Sequence, residues 1–456
     1  MKKIEKRSVF CLVLALALAV GLGVFVVLFF LNGGRWVSFA ANRHLYNSAG
    51  QLKVGRVLDR DGDVLSWVEE NGTRTYYNSA TVRRATLHAV GDAQGKIGTG
   101  ALTAFADLLS GYNPLTGAYS PLGEGNDLYL TLDARLNYEA YQALNGRKGA
   151  VGVYNYKTGE ILCMVSTPTY DPLNVPEDLE TSEEYEGAYL NRFLSSAYVP
   201  GSVFKTVTLQ AAIETLPDLF ERTWTCTGSV SVGGETITCP RAHGELDIAG
   251  AYANSCNGVF GQLAAELGGD TLERYAGQAG LTPSYSVNGI DTAPGRVDLS
   301  SASGGQVAWA GVGQYTDTLN PCALMVYMGA IANGGTAAVP QLVLRTENAL
   351  GMESGYHSRS TGRLVSASTA ETLAELMANN VAETYGTGRF PNMDLCAKTG
   401  TGEVGGGEQP NAWFAGFLRN EDAPYAFVVV VENGGSGNDV AGSIAARVLD
   451  ALVNGY

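Results

Sequence analysis

Ser202 and Lys205 are the residues whose types and spacing first suggest covalent chemistry. They lie in Tyr198-Val199-Pro200-Gly201-Ser202-Val203-Phe204-Lys205-Thr206. Pro200-Gly201 is a turn signal, and Ser202 to Glu214 then reads as a helix. Residues three apart on a helix share a face, one turn from each other. The first turn also offers unpaired backbone N–H groups and the positive end of the helix dipole, which favour developing negative charge. A serine hydroxyl is a poor nucleophile until a base takes its proton, and a partly desolvated lysine can do that as a neutral amine. Alone the pair reads rather as a capped helix with a solvated lysine, since the four-residue pattern arises by chance in many proteins. Two more stretches carry similar chemistry: Ser255-Cys256-Asn257 between helical segments, and Lys398-Thr399-Gly400-Thr401 at the end of an apolar strand. Each alone also reads blandly, as a polar helix connection and a strand ending in a turn.

The elements that must hold these residues come from a chain of 456 residues, enough for two or three domains with a substantial core. With 58 glycines and only 16% charged residues it reads as a loop-rich mixed α and β protein. Four cations, Lys2, Lys3, Lys6 and Arg7, precede an uncharged stretch from Phe10 to Leu31. That stretch is long enough to cross a bilayer once as a helix, and the cations are expected to stay cytoplasmic. The competing reading is a cleaved signal peptide, with Ser38-Phe39-Ala40 as the cleavage site. The formal charge is −15, or −18 without residues 1–31, which argues against nucleic acid and anionic membrane surfaces as partners.

Cys226 and Cys239 flank a stretch with Gly233-Gly234 at its middle, the pattern of a β-hairpin whose ends are adjacent. Outside the cytoplasm a disulfide between them is the favoured expectation, with two free thiols next. A metal site that also uses His243 ranks last because no fourth ligand is evident, so neither a metal nor a cofactor is expected.

In chain order, residues 1–9 read as a cytoplasmic tail, 10–31 as the anchor and 32–54 as a linker. Residues 55–125 read as a small β-rich domain, with a hairpin turning at Asp61-Gly62, strands near Arg74–Tyr77 and Leu87–Val90, and a loop from Gly111 to Gly125. Residues 126–456 form the larger unit. Strands near both of its ends, with helices between, suggest one sheet closed by N- and C-terminal strands plus an inserted helical subdomain.

Ser-x-x-Lys, then Ser-x-Asn about 50 residues on, then Lys-Thr-Gly about 140 after that, is the ordered set that marks penicillin-recognising serine enzymes. The chain resembles a class B penicillin-binding protein, a peptidoglycan DD-transpeptidase, over nearly its whole length. Gly55-Arg56-Val57-Leu58-Asp59-Arg60-Asp61-Gly62, Leu130-Thr131-Leu132-Asp133, the run from Gly159 to Pro168, Ile331-Ala332-Asn333-Gly334-Gly335 and Trp413-Phe414-Ala415-Gly416-Phe417 also fit the family. The resemblance implies an α+β fold: an antiparallel sheet flanked by helices plus a helical subdomain, as in serine β-lactamases, on a short β-rich pedestal with one transmembrane helix.

It further implies Ser202 as nucleophile, Lys205 as base, and Ser255 and Lys398 as the relay returning the proton to the leaving amine. Asn257 would bond the substrate amide through both donor and acceptor. Thr399 and Thr401 would hold the terminal carboxylate, and Gly400 would let substrate backbone approach. The backbone N–H groups of Ser202 and Thr401 would form the oxyanion hole. The implied partners are stem peptides ending in D-Ala-D-Ala, β-lactam antibiotics and a membrane glycan polymerase. About 95 residues between span and transpeptidase leave no room for an internal glycosyltransferase. Hydrolytic relatives, a β-lactam sensor and a non-catalytic scaffold are the rival readings.

Overall fold

The computed structural model describes residues 2–37, 54–110 and 125–455. The linker expected over 32–54 lies largely outside these residues, as do the cleavage-site reading at 38–40 and nearly all of the loop expected from Gly111 to Gly125. A helix runs Lys2–Val37, and its segment Lys6–Gly33 is long and apolar enough to cross a membrane.

The sheet that carries Lys398 has five antiparallel strands, in the order Leu395–Gly402, Asn411–Leu418, Tyr425–Val431, Gly149–Asn155 and Ile161–Thr167. It is thus made from N- and C-terminal strands of the larger unit, as the strand pattern predicts. Tyr425–Val431 reads YAFVVVV and is buried from Ala426 onward. That unbroken apolar run follows from covering both faces of the sheet. Helix Pro321–Ala332 packs on one face. Helices Ala134–Leu144 and Gly442–Asn454 pack on the other, around Val151, Val153, Phe414 and Phe427.

Pro321–Ala332 is buried along almost its whole length, which its sequence PCALMVYMGAIA permits because no side chain in it is charged. Pro321 opens it, and Asn320 caps it by accepting from the Ala323 N–H at 3.1 Å. The Asn320 Nδ2 donates to the carbonyls of Phe193, Leu194 and Ser196, at 3.4, 3.0 and 2.7 Å. One buried amide therefore fixes both the start of the core helix and the segment leading to Ser202.

A second sheet has six strands, in the order Glu353–Gly355, Val343–Glu347, Asp127–Leu130, Val57–Leu58, Val64–Val68 and Arg74–Tyr76. Asp127–Leu130 pairs with Val57–Leu58 on one side and with Val343–Glu347 on the other. A boundary near residue 125 therefore falls within one continuous sheet. The buried Asp59 carboxylate extends this tie by accepting from the N–H groups of Asp61, Asp63 and Ala134. Burial raises its pKa against those three bonds.

The Asp61-Gly62 hairpin and the strand at Arg74–Tyr76 form as expected. The strand expected at Leu87–Val90 does not. Those residues close a helix, Ala80–Val90, capped by the Ser79 hydroxyl. Its alanines and its Arg83–Asp171 ion pair, bidentate at 2.6 Å and buried, override the β-like look of the run. The helical subdomain spans Ile248–Ala253, Asn257–Leu267, Gly269–Gln278 and Gly304–Ala310.

Replacing Asn320 with alanine removes the cap and leaves buried carbonyls unpaired, a loss of about 2–4 kcal/mol. The variant is expected to unfold at a clearly lower denaturant concentration than the parent; an unchanged midpoint would contradict the role assigned to this amide.

Candidate active site

The three motifs, far apart in sequence, meet at one end of the five-stranded sheet. Leu395–Gly402 is an edge strand, so one row of its backbone groups is free of sheet pairing. Thr399 and Thr401, two residues apart, direct their N–H groups to that same free edge, and the Thr399 N–H already donates to the Tyr385 hydroxyl at 3.1 Å.

The turn carrying Ser202 is pressed against this edge. Gly201 has φ +56°, and a Cβ there would lie 2.2 Å from the Thr401 carbonyl oxygen. Only glycine meets both conditions without strain. A Cβ on Gly400 would lie 2.5 Å from the Pro200 carbonyl oxygen. The missing Cβ of Gly400 thus admits the turn that carries Ser202. The Gly201 N–H donates to the Gly313 carbonyl at 2.8 Å, and the Trp413 indole N–H to the Val199 carbonyl at 2.9 Å.

Ser202 is not in an α-helix as expected. Gly201–Phe204 is a 3₁₀ turn, and the α-helix begins at Lys205 and runs to Thr215. Three residues per turn eclipses positions three apart, which brings Ser202 and Lys205 side by side. Lys205 Nζ lies 3.0 Å from Ser202 Oγ. It also contacts the Ser255 carbonyl at 2.6 Å, Asn257 Oδ1 at 2.6 Å and Ser255 Oγ at 3.1 Å. The Lys205 side chain is fully buried, and burial holds its pKa down to about 7.

The four oxygens around Nζ are not equivalent. The carbonyl and the amide oxygen only accept, and a neutral amine has two N–H bonds to give them. Its lone pair is then left for the hydroxyls of Ser202 and Ser255. The orientation of the Asn257 amide follows from its other end, where Nδ2 donates to the Thr238 carbonyl at 2.8 Å. Both ends of Asn257 are therefore engaged within the protein. Oδ1 thus holds Lys205, and the second Nδ2 hydrogen remains for a ligand.

Ser255 sits between two lysine amines. Lys398 Nζ donates to its Oγ at 3.0 Å, and Lys205 approaches the same oxygen from the other side. Ser255 has φ +53°, a left-handed conformation between helices Ile248–Ala253 and Asn257–Leu267. Lys398 is also fully buried, and burial with the nearby Lys205 charge pushes its pKa well down. Thr399 Oγ1 lies 3.2 Å from the Tyr385 hydroxyl, while the Thr401 side chain is exposed.

All eight expected site residues thus gather around one cleft of about 780 Å³, six of them lining it, with the two lysines beneath Ser202 and Ser255. Sequence reasoning missed Tyr385, and it missed Gln314, whose Nε2 donates to the Thr401 carbonyl at 3.1 Å. Trp309, Arg241, His243 and Glu403 also line the cleft. Tyr385 ends a π-helical turn, Val381–Tyr385, with no sequence signal beyond its place before the catalytic strand.

The disulfide expected between Cys226 and Cys239 is absent. The hairpin forms, from Ser229–Val232 and Glu235–Thr238, but both cysteines are free and their sulfurs are 3.8 Å apart. Cys226 Sγ also lies 3.4 Å from His243 Nδ1, and Cys239 Sγ 3.7 Å from Cys256 Sγ. Cys256 is the fourth member of the group that the sequence did not reveal.

Comparison with known proteins places this geometry in context. The chain is 28% identical over 386 residues to the peptidoglycan D,D-transpeptidase PbpA of Mycobacterium tuberculosis, covering 77% of this chain and 75% of that one. It is 26% identical to MrdA of Escherichia coli, covering 74% and 59%. A D,D-transpeptidase domain structure from Eggerthella lenta aligns with a TM-score of 0.75 at 30% identity, covering 88% of this chain and 98% of that one. A ceftriaxone acyl-enzyme structure of the M. tuberculosis penicillin-binding protein A aligns with a TM-score of 0.78 at 24% identity, covering 88% and 98%, and shares the fold. The penicillin binding protein transpeptidase domain family matches residues 149–451, the span that holds Ser202, Ser255 and Lys398 alike, and the chain belongs to that family.

Proposed function

We infer that the chain is a serine-type peptidoglycan D,D-transpeptidase that cross-links stem peptides through an acyl-serine and is inhibited covalently by β-lactams. The observation that carries this reading is the buried amine of Lys205, 3.0 Å from Ser202 Oγ and held by two oxygens that can only accept.

Ser202 Oγ attacks the penultimate D-Ala carbonyl while its proton passes to the neutral Lys205. The C–N bond to the last D-Ala breaks, and that amine takes a proton through Ser255, bridged to Lys398. An amine of a neighbouring stem peptide then attacks the ester carbonyl, gives up its proton along the same path, and Ser202 regains its own. The tetrahedral oxyanion is held by the backbone N–H groups of Ser202 and Thr401, the latter supported by the free edge of its strand. Lys398, Thr399 and Thr401 recognise the substrate carboxylate.

The N-terminal helix serves as a single-pass anchor with the cytoplasmic end at the Lys2–Arg7 cations, which puts the cleft outside the cytoplasm. A membrane glycan polymerase supplies the strands. Residues 55–125 act as the pedestal and 126–456 as the transpeptidase unit.

Ser202→Ala is expected to reduce labelling by a fluorescent penicillin to background, with the circular dichroism spectrum unchanged. Lys205→Ala is expected to slow acylation by about 10²–10⁴-fold. Intact-mass measurement after penicillin treatment should show a long-lived adduct; its rapid loss would point instead to a hydrolase, and labelling of the Ser202 variant would remove the nucleophile assignment.

Acylation is also expected to depend on pH. Burial pushes the Lys205 pKa down to about 7 against the opposing pull of the Cys256 and Cys239 sulfurs, and Lys398 faces it across Ser255. Below that value Lys205 is an ammonium without a lone pair, and above it a base. The acylation rate constant should therefore rise through about pH 7 and level off above it. A flat profile between about pH 6 and pH 9 would assign proton acceptance elsewhere.

A further inference from the structure

Beside the cleft, four side chains converge that the reaction does not use. Cys226 ends the strand Trp224–Cys226, Cys239 follows the hairpin strand Glu235–Thr238, His243 lies in the next turn, and Cys256 caps the helix Asn257–Leu267. Their sulfur and ring-nitrogen atoms all lie within 4.8 Å of one another. We propose that Cys226, Cys239, His243 and Cys256 form a tetrahedral zinc site that fixes the Ser255–Asn257 segment of the catalytic cleft.

The spacing of the donors supports a shared ion. A regular tetrahedron with Zn–S of about 2.3 Å has S···S edges of about 3.8 Å, and with Zn–N of about 2.0 Å its S···N edges are about 3.5 Å. The observed separations are 3.8 Å for Cys226 to Cys239, 3.7 Å for Cys239 to Cys256 and 3.4 Å from Cys226 Sγ to His243 Nδ1. A single disulfide would use two sulfurs and leave the third cysteine and the imidazole without a role. The Gly258 N–H donates to Cys239 Sγ at 3.4 Å, the outer-shell contact that a bound thiolate requires. Three thiolates and one imidazole make a soft set that suits zinc. Four protein ligands close the shell, so the ion would be structural and would supply no position for substrate.

The location gives the site a consequence. Cys256 is the residue between Ser255 and Asn257, and both of those hold Lys205. Ser255 is also in a left-handed conformation that the surrounding structure must maintain. Asn257 Nδ2 in turn bonds Thr238, the residue before Cys239. Zinc would join strand, hairpin and helix at one point and so hold the acceptors of the Lys205 amine.

The test uses the full chain, purified in detergent under reducing conditions. Elemental analysis is expected to find about one zinc per chain. Cobalt(II) added to the chelated protein should give thiolate-to-cobalt charge-transfer bands and the visible absorption of a tetrahedral ion. His243→Ala and Cys226→Ser should each lower zinc affinity by about tenfold or more. Chelation should slow penicillin acylation by about tenfold or more, with recovery when zinc is returned.

Protein without stoichiometric zinc whose chelated form gives no cobalt spectrum would overturn the site. Loss of zinc with unchanged acylation would overturn its hold on Ser255 and Asn257. The acylation arm rests on the transpeptidase reading, whereas the metal content and cobalt spectrum do not. Zinc-loaded protein that no penicillin labels would therefore tell against that reading and leave the site standing.

Discussion

The structure depends on keeping two lysine side chains buried around one serine hydroxyl. Lys205 and Lys398 are both fully buried and both reach Ser255 Oγ. An ammonium group out of water is costly, and two side by side more so, so the pair cannot carry two full charges. The arrangement offsets that cost with acceptors rather than counter-ions: the Ser255 carbonyl, Asn257 Oδ1 and the Thr399 carbonyl are the oxygens offered. A carboxylate would have raised the amine's pKa and kept it protonated, with no lone pair to accept a proton at neutral pH. Neutral acceptors keep the amine in place and leave it a base.

Such a site needs rigid walls, and these follow from the positions of a few small residues. The nucleophile turn can lie against the catalytic strand because Gly201, Gly400 and Gly402 each lack the Cβ that would strike a carbonyl across the contact. Asn320 fixes the segment ahead of the turn, and Trp413 fixes Val199 within it. The five-stranded sheet is buried on both faces, so it has little freedom to move relative to the helix that begins at Lys205.

Much of this was legible in the residues. The three motifs supplied the eight residues that gather at the cleft, the apolar runs marked the sheet strands, and the uncharged N-terminal stretch marked the long helix. What escaped has a physical reason in each case. Leu87–Val90 looks like a strand because local propensity is a weak guide beside a capped helix start and a buried ion pair. The internal partners of Asn257 and Gly400 escaped because sequence shows that a group can bond or admit a neighbour, but not which neighbour the fold brings to it. Tyr385 and Gln314 touch the catalytic strand only through tertiary packing, which no local pattern encodes.

The cysteines show the same limit at its sharpest. Read along the chain, Cys226 and Cys239 are a hairpin pair, and His243 is a stray imidazole. The fourth donor, Cys256, sits inside a catalytic motif, where its neighbours account for the whole signature and the middle position looks free. Only folding shows that the residue between Ser255 and Asn257 faces away from the cleft chemistry, toward two sulfurs and a ring nitrogen. That position is well placed for control. A bond to Cys256 acts on Ser255 and Asn257, the two residues whose oxygens hold the Lys205 amine. Whatever holds Cys256 therefore bears on how firmly those acceptors keep the Lys205 amine beside Ser202.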